Sequence, residues 1–437
     1  MKKELTLSIL MLALVACGGG SDGGTDSGGN SNGSPSVPST PKLKLSTITA
    51  AQQCGLEEAR AGVTVIAHRN DGTILSQTTS DTSGLVEIEW PTEAKHLTVG
   101  DISDYSDEMT LYTDMNLPAG DAGKYWFYES YMDDQCNCKT VYLDYAGIQQ
   151  AYPAYDIYVN GFRVRSTSNV WNEQLCEGGR QTLRVTLAPQ IAGNPAFALK
   201  KAFSELTDEQ YIILEASSFS SADNQSELVT VTSNLTNPRH YGSALVDGTL
   251  RGQGYWAAPD AHFFPALFDR QQLTVSESEL LEETAEASLY YGKGRRIAVS
   301  DFTSSLDVNV PHNQQLVLSE FYRMLEGMNN ATSVNYDFSS FSEGKQAMNI
   351  SLVEFLVVSW NVTGPLSGTL PDFKIPDAFQ AKLDSLDKAD LFFRLSGYEP
   401  DWSYADYTKA IVELQKAQTF PVNLDDYIYE TITIRAK

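Results

Sequence analysis

Histidine is scarce in this chain, with five in 437 residues. None stands in a His-x-x-x-His or His-Glu-x-x-His arrangement, so the helical zinc site of a metalloprotease is excluded. Gly-x-Ser-x-Gly is missing, and with it the usual nucleophile elbow. The run Gly292-Lys293-Gly294-Arg295-Arg296 lacks the spacing of a phosphate loop and leads into a strand pattern, so it reads as a basic hairpin turn. Basic residues are in deficit: 31 Lys and Arg face 56 Asp and Glu, for a formal charge of −25. Such a surface repels phosphate backbones, so nucleic acid is not an expected partner. No internal repeat of fixed period is visible. The longest apolar run at the start, Leu5 to Leu12, is too short to span a bilayer. No catalytic residue, metal ligand or cofactor is assigned from these patterns.

Cysteine is sparse but placed with meaning. Five are present, Cys17, Cys54, Cys136, Cys138 and Cys176. The last four form an even set, which in an exported chain implies two disulfides. A direct Cys136–Cys138 bridge at i, i+2 would be strained. One of that pair therefore takes Cys54 and the other Cys176, and both crossed pairings remain open.

The amino terminus carries an address. Met1-Lys2-Lys3 precedes the short apolar run, and Leu14-Val15-Ala16-Cys17 closes it, the layout of a secretory leader. That tetrapeptide resembles the lipobox of bacterial lipoproteins. The resemblance implies cleavage before Cys17, diacylglycerol on its thiol, acylation of the new amino terminus and membrane anchoring through several chains. Gly18 after the cysteine implies sorting to the outer membrane, facing either periplasm or cell surface. Residues from Gly18 to Pro41 are Gly, Ser, Asn, Asp, Thr and Pro, too polar to bury a core. They read as a tether with a reach of roughly 25–30 Å.

Beyond the tether, β-branched and aromatic residues alternate with polar ones, the period of half-buried strands. Val63, Val65 and Ala67 alternate before the turn Asn70-Asp71-Gly72, and Asp81-Thr82-Ser83-Gly84 turns into Leu85 to Trp90. Ala61-Gly62-Val63-Thr64-Val65 and Thr79 to Val86 resemble the carboxypeptidase regulatory-like domain, a small Ig-like sandwich. In that family the module is a non-catalytic accessory. Helical spacing is confined to Leu318, Phe321, Tyr322 and Leu325, and to Phe379, Leu383 and Leu386. Ala410 to Leu414 reads as a strand.

The expected fold is mainly β: Ig-like sandwich units followed by a larger antiparallel β domain with a few short helices. The expected segments are a leader at 1–16, a lipidated tether at 17–42, an Ig-like or carboxypeptidase regulatory-like sandwich at 43–120, a disulfide-stapled β unit at 121–203 and the larger domain at 204–437. Two function classes follow. One is a non-enzymatic outer-membrane lipoprotein for binding, adhesion or envelope structure, taking a glycan or protein ligand. Its candidate contacts are Trp256 and Trp402, aromatic platforms among loop residues. The other is an anchored hydrolase of envelope polysaccharide or peptide, with Asp260 and His262 as an acid–base pair. The acidic run Asp101 to Glu108 offers oxygens for calcium but lacks EF-hand order, and a solvated loop is the preferred reading. Sequence leaves the oligomeric state undetermined.

Overall fold

A computed structural model of the chain describes residues 40–437 except 166, 167, 304, 329–332, 399 and 418. The leader, Cys17 and nearly all of the tether lie outside the described residues. The rest is mainly β, with a few short helices.

One topology accounts for the strands. In the first unit the strands in chain order are Lys42–Ala50, Thr64–His68, Ile74–Thr79, Leu85–Glu89, His96–Ile102, Met109–Asp114 and Gly120–Tyr128. The first strand pairs antiparallel with the fourth and parallel with the seventh. The facing sheet runs third, second, fifth, sixth. A short extra strand, Glu57–Ala59, folds back on the first.

The second unit repeats this with Cys138–Asp144, Tyr155–Val159, Phe162–Arg163, Val170–Cys176, Thr182–Pro189, Phe197–Ala202 and Gln210–Ile213. Its first strand again sits between the fourth and a parallel seventh. The third unit, Glu227–Ser233, Arg239–Val246, Thr249–Trp256, Asp260–Phe263, Gln271–Glu283, Ala287–Val299 and Leu306–Val308, has the same order in both sheets. The fourth begins with Ser333–Asp337 and continues through Ala347–Glu354, Val358–Pro365, Ser367–Pro371, Asp390–Gly397 and Tyr427–Ala436. Its six strands follow the same plan, and among the described residues no seventh strand closes it. The stretch expected as one antiparallel domain over 204–437 instead gives Gln210–Ile213 to the second unit and divides the rest into two further units, just as Gly120–Tyr128, expected in the second unit, closes the first.

The helix Gln314–Met328 occupies the place of the missing strand. Val317, Phe321 and Met324 are buried, and Phe321 lies 5.1 Å from Phe393 between ring centroids. Leu318, Tyr322 and Leu325 flank that core, as their helical spacing predicts. The same helix caps the open edge of Ser333–Asp337. Arg323 Nη2 donates to the Asn335 carbonyl at 2.7 Å, and Glu320 Oε1 accepts from the Asp337 amide at 2.6 Å. An unpaired strand edge is a template for association, and these side chains block it.

Three of the four-stranded sheets join edge to edge into one twelve-stranded sheet. Ala287–Val299 of the third unit pairs antiparallel with Tyr427–Ala436 of the fourth. Val358–Pro365 of the fourth pairs parallel with Met109–Asp114 of the first. The first unit therefore packs against the last. At this seam the covering layer changes sides, because alternate residues of one strand serve different cores. Met109 and Leu111 enter the core beneath Gln314–Met328, whereas Tyr112 faces the first sandwich.

A buried polar chain ties the seam. The Trp360 indole N–H donates to Thr113 Oγ1 at 3.0 Å, and the Thr113 and Thr98 hydroxyls lie 2.9 Å apart. Thr98 Oγ1 is 2.9 Å from His68 Nε2, and His68 Nδ1 is 3.0 Å from the Gly72 carbonyl. One donor direction satisfies every member: indole to Thr113, Thr113 to Thr98, Thr98 to a neutral imidazole, and Nδ1–H to the carbonyl. Burial pushes the His68 pKa down to about 4, in keeping with the neutral ring.

Two readings of local structure are corrected. Ala410 to Leu414 belongs to the helix Tyr404–Lys416, opened by a capping box in which Ser403 and Asp406 satisfy each other's amides. The β-branched Ile411 and Val412 mislead because the cap and the Tyr404, Tyr407, Ile411 spacing outweigh their strand preference. Gly292 to Arg296 is no turn but the middle of Ala287–Val299. A Cβ on Gly294 would lie 2.5 Å from Tyr429 Oη, and one on Gly292 2.6 Å from Thr431 Oγ1. These glycines make room for side chains of the neighbouring strand.

Candidate functional site

Where the sheet passes from the fourth unit to the first, a cavity of about 400 Å³ opens beneath Tyr404–Lys416. Its floor is the sheet face that carries Tyr112 and Asp114 beside Asn361 and Thr363, with Asn349 on the next strand. Asn349 Nδ2 donates to Thr363 Oγ1 at 3.1 Å, and Ser351 Oγ to Asn361 Oδ1 at 2.6 Å. The roof is one face of the helix, Tyr407, Thr408, Ile411, Val412 and Gln415, spaced at three and four residues. The side wall comes from Gly120–Tyr128, through Ala122, Lys124, Tyr125 and Trp126.

The helix has a fixed seat. Gly123 has φ +80°, and a Cβ there would lie 2.0 Å from Gln415 Oε1. That oxygen instead accepts from the Lys124 amide at 2.8 Å. Lys416 pairs with Asp121 at 2.7 Å. A larger residue at Gly123 would strain the backbone and push the Gln415 side chain off the Lys124 amide.

Asp114 is the one carboxylate in the lining. Tyr125 Oη donates to its Oδ2 at 2.6 Å. Burial raises the Asp114 carboxyl above the ordinary range, against the opposing Tyr125 hydrogen bond. Burial and the adjacent Asp114 both push the Tyr125 phenol well up, so it stays a donor. Tyr112 stacks at a tilt on Tyr125, 5.7 Å between centroids, and donates to the Trp126 carbonyl at 2.8 Å. Lys124 contributes little net charge, because its ammonium lies 2.6 Å from Glu57. The result is a pocket of phenols, side-chain amides and one carboxylate. It can accept and donate several hydrogen bonds against aromatic faces, and it holds no second acid or imidazole for hydrolysis.

The residues singled out from sequence lie elsewhere. Trp256 is 5 % exposed and packs at 5.2 Å from His262 and 6.4 Å from Phe264, so it is core and offers no platform. Trp402 is half-buried, 6.4 Å from Tyr398, beside the start of the roof helix and outside the lining. Asp260 and His262 share a strand but do not pair. Asp260 Oδ2 accepts from the Gly193 amide at 2.5 Å, and His262 Nδ1 is 2.9 Å from Ser226 Oγ. His262 is fully buried, its pKa pushed down to about 4 by that burial, and it lines neither of the two described cavities. Of the acidic run, Asp101 pairs with Arg60 at 2.5 Å and Asp107 with Lys382 at 2.5 Å. Among the described residues no group of three or more His, Cys, Asp or Glu is placed to hold a metal.

The cysteines form two bridges, Cys54–Cys136 and Cys138–Cys176. This is one of the two crossed pairings left open by sequence. Cys138–Cys176 joins the first and fourth strands of the second unit, and Cys54–Cys136 ties a loop of the first unit to the segment entering the second. Such bridges belong to chains that fold in an oxidising, extracytoplasmic compartment. The cavity itself was missed from sequence. Ser403 and Asp406 at capping-box spacing before a helical repeat was the available signal.

No family model matches the chain, and no curated protein matches it. Among solved structures, two bacterial proteins are weakly similar. The TIE protein of Bacillus anthracis matches with 11% identity and a TM-score of 0.15 over 62% of this chain, spanning only 50% of its own length. Two B repeat units of the collagen binding protein of Staphylococcus aureus match with 8% identity and a TM-score of 0.14, over 76% of this chain and 88% of that one. At these scores the likeness carries no argument about arrangement or activity.

Proposed function

We propose that this protein is an outer-membrane lipoprotein, anchored through Cys17, that binds a glycan without chemically altering it. The observation that carries the binding reading is the cavity beneath Tyr404–Lys416. Aromatic faces from Tyr112, Tyr125 and Tyr407 stand beside Asn349, Asn361 and Asp114, a combination suited to stacking on sugar rings while holding their hydroxyls. A single carboxylate in the lining supports capture over glycoside cleavage, which uses a pair. The lipobox resemblance and the polar tether support the address, and two disulfides support export.

Isothermal titration of the purified chain with fragments of envelope polysaccharide tests the binding. Saturable heat is expected, lost in Asp114→Asn and Asn361→Ala variants that keep the parent circular dichroism. Equal heat in the variants would remove the cavity from the proposal. For the anchor, Cys17→Ser is expected to release the protein from membranes and abolish acyl labelling; labelling that persists would overturn the assignment.

A further inference from the structure

The second and third units meet over arginines that the chain leaves short of partners. Arg184, on Thr182–Pro189 of the second unit, is only 3 % exposed. Its Nη1 donates to the Gly252 carbonyl of the third unit at 2.8 Å. Its other edge, Nε and Nη2, is buried without a hydrogen-bond partner. Arg251, beside Gly252 in the chain, has a buried and unpartnered Nε, and Gln253 has both amide atoms in that state.

Nearby carboxylates are already committed. Asp247 accepts from the amides of Gln181 and Thr182, each at 3.0 Å, and from Thr182 Oγ1 at 2.9 Å. Glu173 accepts from Asn160 Nδ2 at 2.8 Å, Arg180 Nη1 at 2.7 Å and Trp171 Nε1 at 2.9 Å. Burial, then the neighbouring Arg251, lowers the Arg184 pKa to about 10, so the guanidinium remains charged at neutral pH. Asp247 offsets part of that charge without bonding to it, while the buried Nε and Nη2 donors keep an unmet desolvation cost. The vacant Nε and Nη2 edge is the fork that holds two oxygens of an oxyanion side by side.

We propose that Arg184, with Arg251, forms a binding site for a small inorganic oxyanion at the seam between the second and third units. The anion supplies the missing acceptors and locks the two units together. This site is separate from the cavity beneath Tyr404–Lys416 and does not depend on a glycan ligand.

The test uses the full chain with sodium phosphate as the probe and sodium chloride at matched ionic strength as the reference. Calorimetry is expected to give saturable binding, and phosphate is expected to raise the melting temperature. Arg184→Gln should abolish both responses. Arg251→Gln, at a partly buried position, should weaken binding by about tenfold while keeping the parent circular dichroism. Absence of heat would overturn the proposal, as a site filled by water alone predicts. A melting rise of equal size in the parent and both variants would also overturn it, because that is a general salt effect.

Discussion

The fourth unit and the three before it close the same sheet with different parts. In the first three, a parallel seventh strand covers the free side of the first strand. In the fourth, a helix that precedes the unit does so, with Arg323 and Glu320 meeting the exposed backbone. The second unit carries a disulfide across its first and fourth strands, whereas the fourth depends on packing and on a buried Lys345–Glu430 pair at 2.8 Å. A strand inherits its position from ladder hydrogen bonds, but a helix must be held by side chains. The fourth unit should therefore be the one most sensitive to point substitution, and the second the one most sensitive to reductant.

The largest effect is expected at Lys345 and Glu430, whose side chains are both fully buried. Tyr291 also donates to Glu430, and the Lys345 ammonium reaches the Pro311 carbonyl at 3.2 Å. Lys345→Met leaves a buried charge unpaired and should cost about 3–5 kcal/mol in denaturant unfolding, with recovery when Glu430→Leu is added. No recovery in the double variant would mean the ammonium's carbonyl contacts matter more than the pair. Next comes the second unit. Replacing Cys138 and Cys176 by serine frees a 38-residue separation and should cost up to about 4 kcal/mol by loop-closure entropy. Hydrogen exchange should then rise across 138–213 and not across 333–436.

pH sharpens the comparison at one seam and one core. His68 at the seam of the first and fourth units and His262 in the third both have pKa values of about 4. Below pH 6.5 the unfolded chain takes up protons that the folded chain refuses. Stability should fall as pH drops from about 6.5 to about 4, by on the order of 3 kcal/mol for each histidine, and level off below. Burial pushes His96 and His240 down as well, so His68→Gln should remove only its own share of the slope. A smaller effect belongs to the helix cap: Glu320→Ala hands the exposed Asp337 amide to water and should cost about 1 kcal/mol. If the capped edge matters for solubility as well as stability, that variant should also self-associate on sedimentation.

The smallest expected change is of opposite sign. Asp114 has a raised carboxyl pKa, so the folded chain favours its protonated form and loses stability as pH rises through that value. Asp114→Asn should raise the melting temperature at neutral pH, by about 1 kcal/mol in stability, with the gain fading below pH 4. A residue that lowers stability while lining a cavity is the signature expected of a binding group.

Much of the strand pattern was legible in sequence because period-2 burial leaves a direct trace. Val358–Pro365 and Met109–Asp114 alternate between buried and half-buried at every position. The fourfold topology left no trace. Its loops differ in length, from the short hairpin at Asn160-Gly161 to the whole excursion between Gly397 and Tyr427, so no fixed period survives. The cavity was illegible for a related reason. Lys124 and Gln415 share a hydrogen bond across 291 positions, and nothing local announces that contact. Trp256 misled because aromatic residues flanked by Gly and Pro look exposed, while the third core needed its ring beside His262.

The most direct test of the account is hydrogen–deuterium exchange of the full chain with and without envelope polysaccharide fragments. Protection confined to 112–126, 349–363 and 404–416 is predicted, the floor, wall and roof of one cavity. Protection elsewhere, or none at saturating ligand, would contradict it.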